Sequence, residues 1–204
     1  VQGKGKFLCV FIFILFLYLL TGVQGEILAD EGSEETRKEG GIRELGIMSG
    51  WAFGDLKRQD DYEMVPLYVQ CGFDIKPLFE KIHINPPGSI DFLFEPFMNT
   101  ITSPDANAET GLNFMLKYRY PLIQKLHLYA EGGVGLLYTT QHTYEQATQF
   151  NFNEQFGAGI SFFFAENKSF NVGYRYRHFS NAGIEEPNAG VDMRMILTGI
   201  SIYY

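Results

Sequence analysis

From about residue 43 to the end, the chain alternates between apolar and polar positions with a period of two. Eight stretches carry this pattern, roughly 43–54, 62–75, 88–100, 109–120, 126–140, 149–164, 168–180 and 191–204, with turn residues between them. In 149–164, Phe150, Phe152, Phe156, Ala158, Ile160, Phe162 and Phe164 share one parity, and Asn151, Asn153, Gln155, Gly157, Gly159 and Ser161 the other. Successive side chains of a strand point to opposite faces, so each stretch predicts a strand with one greasy and one small or polar face. The stretch 109–120 repeats the pattern, with Leu112, Phe114, Leu116, Tyr118 and Tyr120 against Asn113, Lys117 and Arg119. In 126–140, Leu126, Leu128, Ala130, Val134, Leu136 and Tyr138 stand against His127, Glu131, Gly133 and Gly135.

Alternation alone does not separate a soluble β-sandwich from a membrane barrel, but three features favour the barrel. The stretches are longer than the roughly 5–6 residues usual in soluble sheets and suit a tilted membrane crossing. Aromatic residues make up 16% of the chain and cluster toward strand ends, as in an interfacial girdle. The last stretch, Ile196-x-Thr198-x-Ile200-x-Ile202-x-Tyr204, ends on an aromatic and is similar to the assembly signal of outer-membrane barrels. The expected fold class is therefore all-β, an eight-stranded antiparallel transmembrane β-barrel. About 160 residues suffice for the smallest closed barrels, whose interior is filled by side chains. Glu131, Arg119, Lys117, Arg175 and Arg177 fall on inward parities and predict a buried ionic network, because an unpaired charge there is costly.

The N-terminus adds targeting information. Lys4 and Lys6 precede 14 apolar residues, Phe7 to Leu20, and small residues around Val23 and Gly25 follow. This predicts a signal peptide over 1–25; an uncleaved anchor is the competing reading, although the run is shorter than the ~20 residues of a transmembrane helix. Residues 26–41 are charged and aperiodic and read as a mobile tail, leaving 42–204 as the barrel domain. Without Lys4 and Lys6 the chain has 14 basic and 24 acidic residues, a net charge of −10 that argues against nucleic acid as a partner. Of the two cysteines only Cys71 lies beyond the signal, which excludes an intrachain disulfide in the mature chain.

The chemistry concentrates in 15 residues. His178-Phe179-Ser180-Asn181-Ala182-Gly183, then Pro187-Asn188-Ala189-Gly190 and Asp192, straddle the tip of the last hairpin. Ser, His and an acid are the parts of an acyl-transfer site. Phe170, Val172, Tyr174 and Tyr176 share parity with His178 and Ser180, while Asp192 and Arg194 share parity with Ile196, Ile200 and Ile202. All three candidates therefore project on the greasy outer side, where polar groups are expensive unless they serve a function. Ten residues separate Phe170 from Ser180, a climb of roughly 25 Å at ~3.3 Å per residue and a tilt near 40°. With both termini periplasmic, that puts the cluster at the outer rim of the apolar band. The bland alternative is a polar hairpin tip that merely meets headgroups.

These residues closely resemble the lipid A 3-O-deacylases of PagL type, in the pattern His-x-Ser-Asn-Ala-Gly, then Pro-Asn-x-Gly and an acid two residues later. Phe94-Glu95-Pro96-Phe97 and Tyr129-Ala130-Glu131-Gly132-Gly133-Val134-Gly135 add similarity, though only the 178–192 block is specific. The resemblance implies an eight-stranded outer-membrane esterase that removes the 3-linked acyl chain of lipid A without metal or cofactor. It implies Ser180 as nucleophile, His178 as general base and Asp192 as the acid, where the family usually has the longer Glu; Glu185 or Glu186 are alternatives. It further implies the Gly183 N–H and Asn188 as oxyanion donors, with Asn181 in support. Expected partners are lipid A or lipopolysaccharide in the outer leaflet, with a homodimer among the assemblies the chain could form.

Weaker candidates carry bland readings. His83, His127 and His142 lack metal-ligand spacing. Arg194 could bind a lipid A phosphate or pair with Asp192, and Lys57-Arg58-Gln59-Asp60-Asp61 reads as a solvated loop. Gly132-Gly133-Val134-Gly135 has no helix after it, so packing inside a narrow barrel explains it better than phosphate binding. Trp51 reads as a girdle or core residue, and Cys71 as a small buried or lipid-facing group. Two functional readings compete with the esterase: a non-catalytic barrel serving as an adhesin or structural protein, and a sibling enzyme that cleaves secondary acyl chains or glycerophospholipids.

Overall fold

The computed structural model describes residues 41–57 and 61–204, so the expected signal peptide, nearly all of the expected tail and residues 58–60 lie outside it. Among the described residues nine strands form one antiparallel sheet: β1 (Ile42–Gly54), β2 (Tyr62–Val65), β3 (Leu67–Asp74), β4 (Ser89–Ser103), β5 (Asn107–Ile123), β6 (Leu126–Thr139), β7 (Phe150–Ala165), β8 (Lys168–Ser180) and β9 (Val191–Tyr203). β2 and β3 each pair with β1 on one side and β4 on the other, the strands from β4 to β9 pair in sequence, and β1 pairs with β9 from Glu44↔Tyr203 to Gly54↔Met193, which closes the sheet into a ring. The expected strand 62–75 is a single crossing divided at Pro66, which has no N–H to donate to a ladder. Nine segments thus make eight crossings. One short helix, α1 (Lys76–Glu80), interrupts the 75–88 connection, which the sequence pattern left as a turn.

The outer face is apolar and the lumen is mixed, holding charged side chains together with a buried apolar cluster that includes Tyr62, Phe97 and Met195. Ile47, Trp51, Phe94, Phe114, Phe152, Phe162, Ile196 and Ile200 face outward and are exposed, while Glu44, Asp91, Glu95, Glu109, Lys117, Arg119, Arg175 and Arg177 are buried in the lumen. Such a wall is stable only with hydrocarbon outside it. Trp51 belongs to the outer face.

The lumen holds the expected ionic network and supplies the carboxylates that the sequence pattern left unassigned. Arg175 forks onto Glu95 (Nη1–Oε1 2.7 Å, Nη2–Oε2 3.1 Å) and also meets Glu131 at 2.7 Å. Lys117 and Arg119 share Glu44 at 3.0 and 2.5 Å, and Arg119 lies 3.5 Å from Asp91. Nearer the loop-bearing end, Arg177 pairs with Glu109, which also accepts bonds from Asn99 and Tyr62. Inward glycines make room for this packing: a Cβ on Gly135 would come within 2.3 Å of Asn113 Oδ1, and one on Gly133 within 2.1 Å of Phe114 O.

Candidate active site on the outer wall

The site is built on β8 and completed by its two neighbours. Strand alternation turns Arg175, Arg177 and Phe179 into the lumen and Tyr176, His178 and Ser180 outward. Register does the rest. His178 stands directly opposite Asp192 of β9, and the two side chains meet, with Nδ1 2.7 Å from Oδ1. With its proton on Nδ1, the imidazole donates to Asp192 and leaves Nε2 free. Tyr176, one pleat below on β8, donates its hydroxyl to the same Oδ1 at 2.6 Å. The pair is partly open, with 32% of the His178 and 64% of the Asp192 side chain accessible.

Ser180 and His178 line one groove of about 500 Å³. It crosses the outer wall from β8 to β5 over Phe152, Leu136, Val134 and Phe114, a distance of about 14 Å for three strand spacings. Among the described residues the Ser180 hydroxyl has no hydrogen-bond partner; His178 stands two residues before it on the same face of β8, a Cα separation of about 7 Å. The arrangement can do what its parts suggest: a hydroxyl, an imidazole with one nitrogen fixed by a carboxylate, and an apolar trough for a chain.

The loop 181–190 closes over one end of this assembly. Asn181 is fully buried, donates Nδ2 to Glu185 O at 2.7 Å and accepts the Gly183 N–H on Oδ1 at 2.9 Å. An oxyanion bound at Gly183 would share or displace that bond. Asn188 uses Oδ1 to accept the Asn181 N–H at 2.9 Å, a contact that orients its amide and leaves the NH₂ end for another acceptor. Gly190 sits at φ +75 against the imidazole, where an added Cβ would lie 2.3 Å from His178 Cε1; only a glycine allows the ring this position. Glu186 accepts the Asn188 N–H at 3.1 Å, and His178 is held by Asp192 rather than by either loop glutamate. Arg194 lies 3.7 Å from Asp55, not in an ion pair with Asp192.

Three parts of the site were not anticipated. Parity places Tyr176 on the outer face but gives it no role. Glu154 falls on the outward parity of β7 between Phe152 and Phe156, directly opposite His178 on the side away from Asp192; a carboxylate interrupting a run of phenylalanines was the available signal. The 140–149 loop braces the 181–190 loop through Ala147 N–Pro187 O and Ala189 N–Glu145 O, both 2.9 Å, and through Gln146 Oε1, which accepts the Asn181 N–H at 3.1 Å. No local pattern in the sequence reveals that contact.

An inside-out ring of eight crossings with a polar cluster on its apolar face defines the class, an outer-membrane β-barrel. The sequence model of the lipid A 3-O-deacylase (PagL) family matches residues 67–201, and the chain belongs to that family. Lipid A deacylase PagL of Bordetella bronchiseptica is 37% identical over 68 residues, which are 32% of this chain and 36% of that protein, so the match spans about a third of the relative's length. Among solved structures, the outer membrane enzyme PagL superposes with a TM-score of 0.56 at 16% identity, over 79% of this chain and 99% of that one. Neisserial surface protein A gives 0.63 at 11% identity, over 82% and 100%. At these identities the two structures support the fold.

Proposed function

We propose that this barrel is an esterase that hydrolyses the 3-linked acyl chain of lipid A at the outer-leaflet rim of the membrane. The observation that carries the reading is the 2.7 Å His178–Asp192 contact on the lipid-facing wall, beside Ser180 and above an apolar groove. A purely structural barrel gains nothing from holding an imidazole and a carboxylate together on its greasy side.

The steps follow from the groups. Nε2 of His178 takes the Ser180 proton as Oγ attacks the ester carbonyl, and Asp192 stabilises the imidazolium that forms. The charge that develops on the carbonyl oxygen is met by the Asn188 NH₂, oriented by the Asn181 N–H on its Oδ1, and by the Gly183 N–H, which turns to it from Asn181 Oδ1. Collapse breaks the ester bond. The sugar oxygen leaves with the proton from His178, and the acyl group stays on Ser180. Water activated by the same imidazole then releases the fatty acid and restores the serine. Asp192 is one methylene shorter than Glu, but directly opposite registration and the Tyr176 hydrogen bond bring its carboxylate to Nδ1.

The test is to incubate purified protein in detergent micelles with lipid A and to analyse the products by mass spectrometry. Loss of one 3-linked acyl chain with the wild type, and none with Ser180→Ala or His178→Ala, is the expected result. Intact lipid A with a correctly folded wild type would refute the reading, and release of a secondary or glycerophospholipid chain instead would reassign the substrate.

A further inference from the structure

Glu154 stands out among the groups on the lipid-facing wall. It lines the same groove as Ser180 and His178, whose other outward residues, Phe114, Val134, Leu136 and Phe152, are apolar. It has no ion-pair or hydrogen-bond partner among the described residues. A carboxylate among phenylalanines is costly unless a donor reaches it, and no side chain of the wall supplies one.

Its place in the lattice says what could. Glu154 opposes His178 on one side and Val134 on the other, one pleat from the Phe152 that opposes Ser180. Directly opposed residues have Cβ atoms about 4.5–5.5 Å apart and diagonal neighbours about 7–8 Å. The Glu154 carboxylate therefore lies on the path of a chain that leaves Ser180 along the groove, only a few bonds from the reacting carbonyl. The imidazole does not need it, because Nδ1 is already committed to Asp192 from the opposite strand.

We propose that Glu154 is a specificity-determining residue that accepts a hydrogen bond from a hydroxyl on the β-carbon of the acyl chain bound in the groove. This rests on the esterase reading above. A plain chain would leave the carboxylate facing methylene groups, whereas a hydroxylated chain offers the missing donor.

The test uses purified protein in micelles and two synthetic glucosamine esters that differ only in a β-hydroxyl on the acyl chain. Wild type should favour the hydroxylated ester in kcat/KM by about tenfold or more, the size expected for a hydrogen bond to a charged acceptor. Glu154→Leu should remove the preference, by slowing the hydroxylated ester and sparing or accelerating the plain one, and Glu154→Gln should retain part of it. Equal rates for both esters with the wild type would overturn this inference and leave the esterase reading standing. An equal loss on both esters in Glu154→Leu, with a displaced pH profile, would instead make Glu154 a positioning residue for His178 and also overturn it. A wild type inert on both esters and on lipid A would overturn both.

Discussion

Strand β8 carries two sets of polar side chains on opposite faces of one backbone, and they are treated differently. Arg175 and Arg177 face the lumen, are fully buried, and meet Glu95, Glu131 and Glu109. His178 and Ser180 face outward, are partly open, and among the described residues have only Asp192 between them as a hydrogen-bond partner. The inner groups are tied down from several directions and hold the wall in shape. The outer groups keep bonding capacity in reserve: Nε2, the Ser180 hydroxyl and the Glu154 carboxylate all lack partners within the wall. Unspent capacity on a face that should carry none is what the proposed esterase reading puts to use.

This contrast can be broken by exchanging consequences between the two faces. Ser180→Ala should cost the largest factor in deacylation, at least about 10⁴-fold, while heat-modifiable electrophoretic mobility stays that of the folded barrel. Asp192→Asn should lower the rate by about 10³–10⁴-fold, because the imidazole loses the acceptor that fixes its tautomer; a loss below tenfold would show that another group holds His178. On the inner face, Arg175→Met strands Glu95 and Glu131 and should destabilise the barrel by about 3–5 kcal/mol in a urea titration. A folded Arg175→Met barrel with normal stability and no activity would erase the distinction between architecture and chemistry.

Smaller effects probe how the loop sets the outer face. Gly190→Ala places a methyl into the imidazole at a positive φ and should reduce activity by about 10²-fold without unfolding the barrel. Gln146→Ala removes the brace on the Asn181 N–H and should cost about tenfold in kcat with little change in KM.

The same contrast explains what could be read from the chain alone. Period-two alternation gave the crossings, the inward arginines and the outward His178, Ser180 and Asp192, because side-chain direction in a strand is a local property. Partner identity is not local. That Arg175 meets Glu95, 80 residues away, depends on ring closure and on the stagger between strands. Gln146 reaches Asn181 across 35 residues only because two loops meet above the barrel. The family resemblance implies Asn181 as a polar support, but its burial and its hold on the Gly183 N–H follow from no local pattern. Pro66 divides a crossing that alternation alone runs through, since periodicity records side-chain direction and not the missing ladder donor.

In the proposed reaction Ser180, a serine on the lipid-facing wall of a barrel, is the nucleophile. Quenching the purified protein during turnover of lipid A and mapping its peptides by mass spectrometry tests this directly. An added acyl mass on the peptide that contains Ser180 is expected, with loss of both adduct and product in Ser180→Ala. Product formed at an undiminished rate by Ser180→Ala would contradict it.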